Sequence, residues 1–329
     1  MKKIITVLVT VFAVGALAYF GFQKTNQAPT SGEPIKIGVV VYPSGGIFYV
    51  AQEKGLFAEY GVNAQPVEVL PDAAIQLLAS NQIQMLFLTS DFMPIVADAG
   101  VEAKQIFSPS ISYGADGMVV TKNIQGISDL KGKKVYLGLG FPSDFLFHYI
   151  AEKNGLASSD FQITNLNPED VGASFVAGKI DAGMTWEPWL SKAAERKDGK
   201  VLFTSRDYPG VITDIVMART DLIQSRRADV ENVMRAFFEA SDWWTRNTTA
   251  GNAIAAKAFS LTPGDFASMR DTVKFNDLQA NLDKFDKSKP LNVYDIVEQA
   301  SAVYLQDGVI KAKISGDSMT DSSLLNDIR

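Results

Sequence analysis

The sequence predicts an α/β fold of two lobes with mixed, mainly parallel sheets, between which the chain crosses twice. The length of 329 residues suggests two domains rather than one. From Ile35 onward, short β-rich runs alternate with helical patterns, which is typical of parallel sheets with right-handed crossovers. After residues 208–210 a single strand pattern is followed by helices up to Asp307. Because one strand cannot form a sheet alone, it must complete a sheet begun earlier.

The N-terminal segment has the pattern of an export signal. Two lysines precede an apolar run over residues 4–22, and Ala16-Leu17-Ala18 has the spacing that a signal peptidase accepts. An uncleaved membrane anchor is the alternative, because the run is about as long as the shortest spanning helix. We therefore predict a signal peptide or N-terminal anchor over residues 1–22 and a flexible leader over 23–34.

The first lobe is predicted over residues 35–112 together with 214–329. Its strands are predicted from near-continuous apolar or β-rich runs over residues 35–41, 62–70, 83–89 and 102–108. Its first helices are predicted from 3.6-residue spacing over residues 48–60, 72–80 and 91–99. The strand that returns to this lobe is predicted over 215–219, and its longest helix over 228–246. One face of that helix is apolar and carries Val230, Val233, Met234, Phe237 and Phe238.

The second lobe is predicted over residues 113–213. Its predicted strands cover residues 117–121, 134–140, 161–166, 180–185 and 201–204. Its predicted helices cover residues 143–154, 168–177 and 187–196. The chain is expected to cross between the lobes near residues 113–117 and again near 210–214, which predicts a two-strand hinge.

Composition excludes several classes of chemistry. The net charge is −6, so the chain has no basic surface of the kind that binds nucleic acid. There is no cysteine, and His148 is the only histidine, which excludes thiolate catalysis, disulfides and multi-histidine metal sites. The nucleophile motif G-x-S-x-G is also absent. We predict no catalytic residue, no metal site and no cofactor, and we expect His148 to be a packed or surface side chain.

Four motifs, taken in order, resemble the nitrate/taurine-type solute-binding proteins of ABC importers, a family that also contains binders of thiamine-precursor pyrimidines. The motifs are GGIFYVAQEKGLF at 45–57, ISDLKGKK at 127–134, AGKIDA at 177–182 and TWEPW at 185–189. The resemblance extends from about residue 35 to about residue 310. It implies the type II periplasmic-binding-protein fold, in which two Rossmann-like lobes joined by a two-strand hinge hold a ligand between them. It also implies a periplasmic protein that delivers a small molecule to an ABC permease, and we expect a monomer.

Five segments are expected to line the ligand site. In open α/β sheets, ligands bind beyond the carboxyl ends of strands, at the N-termini of the helices that follow. That rule selects residues 42–49, 89–92, 140–145, 185–189 and 208–214, and the resemblance selects the same five. The predicted ligand-binding residues are Tyr42, Ser44, Gly45, Gly46, Phe48, Thr89, Ser90, Asp91, Phe141, Ser143, Asp144, Trp186, Glu187 and Asp214.

Each segment also has a purely structural explanation. The glycine-rich turn at 42–46 offers backbone N–H groups to a ligand, but it is equally an ordinary strand-to-helix turn. Ser90, Asp91 and Ser143 have the residue types that cap helices, and Glu187 beside Pro188 suits the first turn of a helix. Asp214 either binds ligand or secures the hinge.

The charged residues in the five segments share one sign. Asp91, Asp144, Glu187 and Asp214 are acidic, and the segments contain no Arg or Lys, although anion sites commonly recruit one. Trp186 and Trp189 flank the carboxylate of Glu187 with aromatic faces, which suits a flat or cationic ligand. We predict a small amine-bearing or nitrogen-heterocyclic nutrient, such as an aminopyrimidine. Nitrate, taurine or another sulfonate is the alternative, because backbone N–H groups also bind anions.

Two other functions are weighed against solute binding. A pyrimidine-synthase-like enzyme is the first, but those relatives use histidine and a cysteine-rich stretch, which this chain lacks. A membrane-tethered sensor is the second, and it rests only on the length of the N-terminal apolar run. Neither has a motif of its own elsewhere in the chain.

Overall fold

The computed structural model describes residues 32–329. The predicted signal peptide or anchor over 1–22 and nearly all of the predicted leader therefore lie outside the described residues. Within 32–329 the chain forms two five-stranded sheets and one two-stranded sheet, with helices packed around them. None of the helices in that range combines the length and apolar character that a membrane crossing requires.

Twelve strands are present over the described residues. They are β1 (Ile35–Val39), β2 (Ala64–Glu68), β3 (Met85–Thr89), β4 (Ala103–Phe107), β5 (Ser110–Ser112), β6 (Asp116–Thr121), β7 (Lys134–Leu137), β8 (Gln162–Asn165), β9 (Ala182–Trp186), β10 (Gly199–Thr204), β11 (Asp214–Arg219) and β12 (Val273–Phe275).

Fourteen α-helices lie between and after these strands in the same range. They are α1 (Gly46–Glu53), α2 (Leu56–Glu59), α3 (Pro71–Ala79), α4 (Met93–Asp98), α5 (Pro142–Lys153), α6 (Pro168–Val176), α7 (Trp189–Glu195), α8 (Thr220–Ser225), α9 (Arg227–Arg246), α10 (Thr248–Ala258), α11 (Pro263–Arg270), α12 (Leu278–Lys284), α13 (Val293–Gln306) and α14 (Ser323–Asp327).

The first sheet has the strand order β2-β1-β3-β11-β4. β1 runs parallel to β2 and β3, whereas β11 is antiparallel to both of its neighbours, β3 and β4. The chain therefore returns to the first sheet through β11, as the sequence predicts. β11 lies between β3 and β4, which come much earlier in the sequence.

The second sheet has the order β10-β6-β9-β7-β8 and the same design. β7 is parallel to β8 and β9, and β6 is antiparallel to β9 and β10. Each sheet thus contains one antiparallel strand among parallel ones. This architecture confirms the predicted fold class of two lobes with mixed, mainly parallel sheets.

The chain passes between the sheets twice, and the two passages contact each other. β5 lies on the first passage, and Ile111 within it bridges to Thr213 on the second. The Ser112 N–H also donates to the Ile212 carbonyl oxygen at 3.1 Å. β12 pairs with the other edge of β5. These contacts form the predicted two-strand hinge.

Three details of the predicted elements are corrected by the structure. The predicted helix over 48–60 is two helices, α1 and α2, because Gly55 between them adopts a left-handed backbone with φ of 71°. The region after β11, predicted to be entirely helical, contains β12. The short strand β5 was also not predicted, since three residues carry too little periodicity to be recognised.

The apolar core is divided between the two sheets, and α13 contributes to both parts. The first core surrounds β1, β3 and β11, and it buries the predicted apolar face of α9. On α13, Val293 and Val297 pack into this core. Ile296, Ala300 and Tyr304 on the same helix pack into the core of the second sheet. α13 is therefore a structural link between the two halves, alongside the hinge.

Candidate functional site

Aspartates meet at the facing edges of the two sheets because of strand direction. The parallel strand β3 ends at Thr89, and in the register of the sheet Asp214, the first residue of antiparallel β11, lies opposite it. In the second sheet, Asp116 at the start of antiparallel β6 lies opposite Trp186 at the end of β9. An antiparallel strand begins where its parallel neighbours end, so both aspartates reach the edge at which ligands bind in such sheets.

Asp214 is held by serines from two other segments. Its Oδ2 accepts a hydrogen bond from Ser44 Oγ at 3.4 Å and contacts the hydroxyl of Ser110 in β5. Ser110 Oγ also lies 2.8 Å from Ser44 Oγ. The side chain of Asp214 therefore joins the first strand-to-helix turn to the hinge, which is the structural alternative considered for it.

Asp116 has a matching serine network on the other side of the hinge. Ser112 Oγ donates to Asp116 Oδ2 at 2.7 Å and lies 2.7 Å from Ser205 Oγ. The Gly114 N–H donates to Ser205 Oγ, also at 2.7 Å. Asp116 was not among the residues predicted from the sequence, although its position at the start of an antiparallel strand matches that of Asp214.

Asp91 connects the two halves through α13. Tyr304 Oη donates to Asp91 Oδ2 at 2.9 Å and lies 3.4 Å from the Phe141 carbonyl oxygen. Tyr304 was not among the predicted residues, because a tyrosine inside a helix late in the sequence gives no sign of returning to the strand ends.

The aspartates are buried close enough to one another for their charges to interact. Burial, together with repulsion from Asp91, raises the pKa of Asp116 to about 6. Burial likewise raises the pKa of Asp91 to about 6, with a contribution from Asp144. The pKa of Asp214 is raised well above its ordinary value by burial, with added repulsion from Asp116 and Asp91. Burial, hydrogen-bond donors and neighbouring aspartates are the main causes of these three shifts.

Several buried polar atoms at these strand ends have no hydrogen-bond partner among the described residues. They are Tyr42 Oη, Thr89 Oγ1, Asp91 Oδ1 and Ser143 Oγ, and all four belong to segments selected from the sequence. A buried polar group without a partner costs about 1–3 kcal/mol, so such groups are concentrated where another molecule supplies the partner. These three hydroxyls and one carboxylate oxygen are therefore candidates for contacts with a ligand.

Aromatic rings from both sheets form one side of the site. The ring centroids of Phe141 and Trp186 are 6.0 Å apart with an interplanar angle of 61°. Those of Phe92 and Phe141 are 6.3 Å apart with an angle of 79°. All three rings are partly exposed. Phe92 was not predicted, although it follows Asp91 directly.

The glycine-rich turn serves packing rather than offering free N–H groups. The Gly45 N–H donates to the Tyr42 carbonyl oxygen at 3.0 Å, and the Gly46 N–H bonds within the same turn. A Cβ on Gly46 would lie 2.7 Å from Ala255 Cβ and 3.0 Å from the ring of Trp244. The ordinary strand-to-helix turn, given as the alternative, describes these two glycines.

Phe48 is placed away from the site. It is fully buried in the first core, with its ring centroid 4.9 Å from that of Phe237. This burial argues against the predicted ligand contact, because the side chain that begins the apolar face of α1 packs onto α9 instead.

Two further predicted residues are engaged in local structure. Ser90 Oγ donates to Gln105 Oε1 at 2.9 Å. The carboxylate of Glu187 accepts hydrogen bonds from the Ser191 N–H at 3.1 Å and the Ser191 hydroxyl at 3.0 Å. Glu187 thus fulfils its helix-capping alternative at the start of α7, whereas Ser143 has no capping bond.

Asp144 does not stand free at the helix start. The Gly140 N–H donates to its Oδ2 at 2.9 Å, and its Oδ1 lies 3.2 Å from His148 Nε2. Asp307, just after α13, lies 3.2 Å from the same nitrogen. His148 is packed, as expected, but between two carboxylates that the sequence analysis did not associate with it.

Comparison with known proteins places this arrangement in a family. The model of the NMT1-like family matches residues 29–259. The taurine-binding periplasmic protein of Escherichia coli (strain K12) is 25% identical over 244 residues, which cover 71% of this chain and 72% of that protein. These findings confirm the resemblance stated from the sequence motifs.

Solved structures share the fold. The crystal structure of the periplasmic aliphatic sulphonate binding protein from Escherichia coli superposes with a TM-score of 0.72 and 22% identity, covering 89% of this chain and 93% of that one. The periplasmic nitrate-binding protein from Synechocystis PCC 6803 superposes with a TM-score of 0.56 and 18% identity, covering 73% and 70%. The described chain thus has the periplasmic-binding-protein fold.

Proposed function

Because the chain belongs to the NMT1-like family, we propose that it is an extracytoplasmic solute-binding protein that delivers a small organic molecule to an ABC importer. The family match, the names of the relatives and the fold support this role. We further propose that residues 35–112 with 214–329 form one lobe and residues 113–213 the other. The ligand would lie between the lobes, and closing around it would present the loaded form to the permease.

The ligand we propose carries an amine or a protonated nitrogen heterocycle. The observation that carries this choice is the set of buried carboxyls of Asp91, Asp116 and Asp214, each of which has its pKa raised mainly by burial. A cationic group placed beside them would supply the charge that a buried carboxylate requires. The partly exposed rings of Phe141 and Trp186 suit the flat face of such a ligand.

The orphaned atoms support a ligand of mixed polarity. Asp91 Oδ1 accepts a hydrogen bond from an amine, and the hydroxyls of Tyr42, Thr89 and Ser143 serve as donors or acceptors. An aminopyrimidine offers ring nitrogens that accept and amino groups that donate, so it could satisfy both kinds of group. We propose no catalytic turnover, since the role requires only capture and release.

A sulfonate is the second candidate. It is favoured by the taurine-binding relative and the sulphonate-binding neighbour, and by the same three hydroxyls, which can donate to sulfonate oxygens. Against it stand the buried carboxyls, which would repel an anion wherever they are ionised. Taurine itself carries both an amine and a sulfonate, so a test must separate the two groups.

Isothermal titration with single-charge probes separates the candidates. Aminopyrimidines and simple alkylamines form one series, and alkanesulfonates and nitrate form the other. We expect binding only in the first series, and we expect Asp116→Asn to weaken it, while Asp286→Asn on an exposed side chain leaves it unchanged. Tight binding of an alkanesulfonate or nitrate with no response to the amines would overturn the ligand class and leave the transport role in place.

A further inference from the structure

Three side chains from two helices converge beside the proposed ligand site. Asp144 and His148 lie one turn apart on α5, so they share one face of that helix. Asp307 follows the last residue of α13. His148 Nε2 is 3.2 Å from Asp144 Oδ1 and 3.2 Å from Asp307 Oδ2, and the three atoms lie within 4.8 Å of one another. We propose that Asp144, His148 and Asp307 bind a divalent metal ion of the zinc class.

The burial of the three facing atoms suits a bound ion. The three facing atoms are buried, and none has an aligned hydrogen-bond partner within residues 32–329 despite the short separations. The side chains of Asp144, His148 and Asp307 are 0%, 6% and 10% exposed. With His148 neutral and protonated at Nδ1, three lone-pair-bearing atoms lie within 4.8 Å of one another.

The two separations from His148 Nε2 match those between ligand atoms around a tetrahedral ion. Zinc binds histidine nitrogen and carboxylate oxygen at about 2.0–2.2 Å, and tetrahedral angles then place neighbouring ligand atoms about 3.3 Å apart. Both measured separations from His148 Nε2 are 3.2 Å. Three protein ligands leave the fourth position for water or another small ligand.

Outer hydrogen bonds hold two of the three ligands in position. His148 Nδ1 lies 2.8 Å from Ser158 Oγ, and when Nδ1 donates this bond, the Nε2 lone pair is left for the metal. The Gly140 N–H donates to Asp144 Oδ2 at 2.9 Å, which turns Oδ1 toward the histidine. Such outer partners fix ring orientation and tautomer in known metal sites.

A surface pocket reaches His148, the histidine of the proposed site. The pocket has a volume of about 560 Å³, and its lining includes His148, Ser158, Glu152, Glu298 and Lys313. A donor set of one imidazole and two carboxylates suits zinc and its neighbours in the first transition row better than calcium, which takes six to eight oxygen ligands. The ion would tie α5 to the end of α13 and so brace one arrangement of the two halves.

This site was not predicted from the sequence, because the chain has no cysteine and only one histidine. With His148 as the only histidine, the composition predicted no metal site. Asp307 lies 159 positions after it, and α13, which packs into both cores, brings the carboxylate back to α5. The inference does not depend on the identity of the transported ligand.

Zinc binding by the purified, chelator-treated protein tests the proposal, with no histidine tag attached. Competition with a chromophoric zinc chelator should give one ion per chain. His148→Gln and Asp307→Asn each remove a ligand and should weaken binding by more than about 100-fold. Ser158→Ala keeps all three ligands and should weaken it by about 10-fold or more, because outer partners contribute about 10–100-fold. Glu298→Gln, which alters a pocket carboxylate outside the cluster, should leave affinity unchanged.

Cobalt supplies a readout that is independent of folding. Wild-type protein with Co²⁺ should show the visible absorption bands of a four-coordinate site, and His148→Gln should lose them while retaining its circular dichroism spectrum. Zinc binding that is absent from the wild type, or equal in wild type, Asp307→Asn and Glu298→Gln, would overturn the proposal. The three side chains would then be a histidine bridging two carboxylates without a metal.

Discussion

Tyr304 Oη lies 2.9 Å from Asp91 Oδ2, which joins α13 to the turn that follows β3. The two residues are 213 positions apart, and both are fully buried. The bond brings a late helix onto the strand ends where the aspartates meet. It also leaves Asp91 Oδ1 unpartnered, which is the atom we propose for an amine.

Removing the Tyr304 hydroxyl should destabilise the protein without disturbing its packing. Tyr304→Phe keeps the ring in the second core but leaves Asp91 Oδ2 without its donor. We expect the free energy of unfolding to fall by about 1–3 kcal/mol, which urea denaturation measures. Tyr149→Phe on the partly exposed side of α5 is the matched control. An equal loss in both variants would show that the bond to Asp91 contributes nothing specific.

The raised carboxyl pKa values predict an unusual dependence of stability on pH. Asp91 and Asp116 have pKa values of about 6 in the folded protein, above their values in the unfolded chain. Between those two pKa values, the folded state therefore binds more protons than the unfolded state. Stability is then fully present below about pH 4 for these groups and is lost as pH rises through about 6. Surface acids whose pKa values are lowered change the stability at lower pH. His148, whose pKa is raised to about 9, changes the stability only above about pH 6.5.

Thermal melts of the ligand-free protein between pH 4.5 and 6.5 check this sign. We expect the melting temperature to fall across that interval, and Asp116→Asn to flatten the slope, since an amide does not titrate. A wild-type melting temperature that rises over the same interval would show that these carboxyls are ionised and well solvated in the folded protein.

Gly46 should tolerate no side chain. Gly46→Ala places a Cβ 2.7 Å from Ala255 Cβ and 3.0 Å from the Trp244 ring, so α1 must move away from α10 and α9. We expect a loss of about 1–3 kcal/mol in urea denaturation. Gly126→Ala, at a position with no atom within 4 Å of the added Cβ, serves as control. If Gly46→Ala is as stable as that control, the helix packing is more adaptable than the contacts indicate.

Trp186 should affect ligand affinity more than stability. Its ring is partly exposed beside Phe141, so Trp186→Leu removes an aromatic face while preserving apolar volume. We expect affinity for an aminopyrimidine to fall about 10-fold, because the variant loses one aromatic contact with the ligand. Trp243→Leu on α9 is the control. The Trp243 ring lies under the side chain of Lys54, the C-cap residue of α1, and is not among the predicted site residues. Equal affinity in wild type and Trp186→Leu would remove Trp186 from the ligand site.

The sequence predicted the fold better than it predicted the roles of single residues. Runs of buried strand residues reveal both sheets, and the isolated pattern at 215–219 reveals the crossing back to the first sheet because a lone strand needs neighbours. Strand-end rules likewise locate Asp91 and Asp214. They cannot distinguish Phe48, which packs inward, from Phe141, which is partly exposed, since both lie in segments that follow a strand.

The residues that were missed come from distant parts of the chain. Tyr304 and Asp307 reach the strand ends only through the packing of α13 into both cores. Local periodicity identifies that helix but carries no information about where it docks. Asp116 is different, because its signal was local: an aspartate begins each of the two antiparallel strands, β6 and β11.

Proton exchange on ligand binding tests the cationic-ligand claim most directly. Titrating the tightest-binding small molecule whose own charge is fixed near pH 6, such as an alkylamine or an alkanesulfonate, in two buffers of different ionisation enthalpy gives the number of protons released or taken up at pH 6. A cation beside Asp91 and Asp116 lowers their pKa values of about 6, so binding should release protons, and Asp116→Asn should reduce that number. Net proton uptake would contradict the claim, because an anion raises those pKa values and draws protons onto the carboxyls.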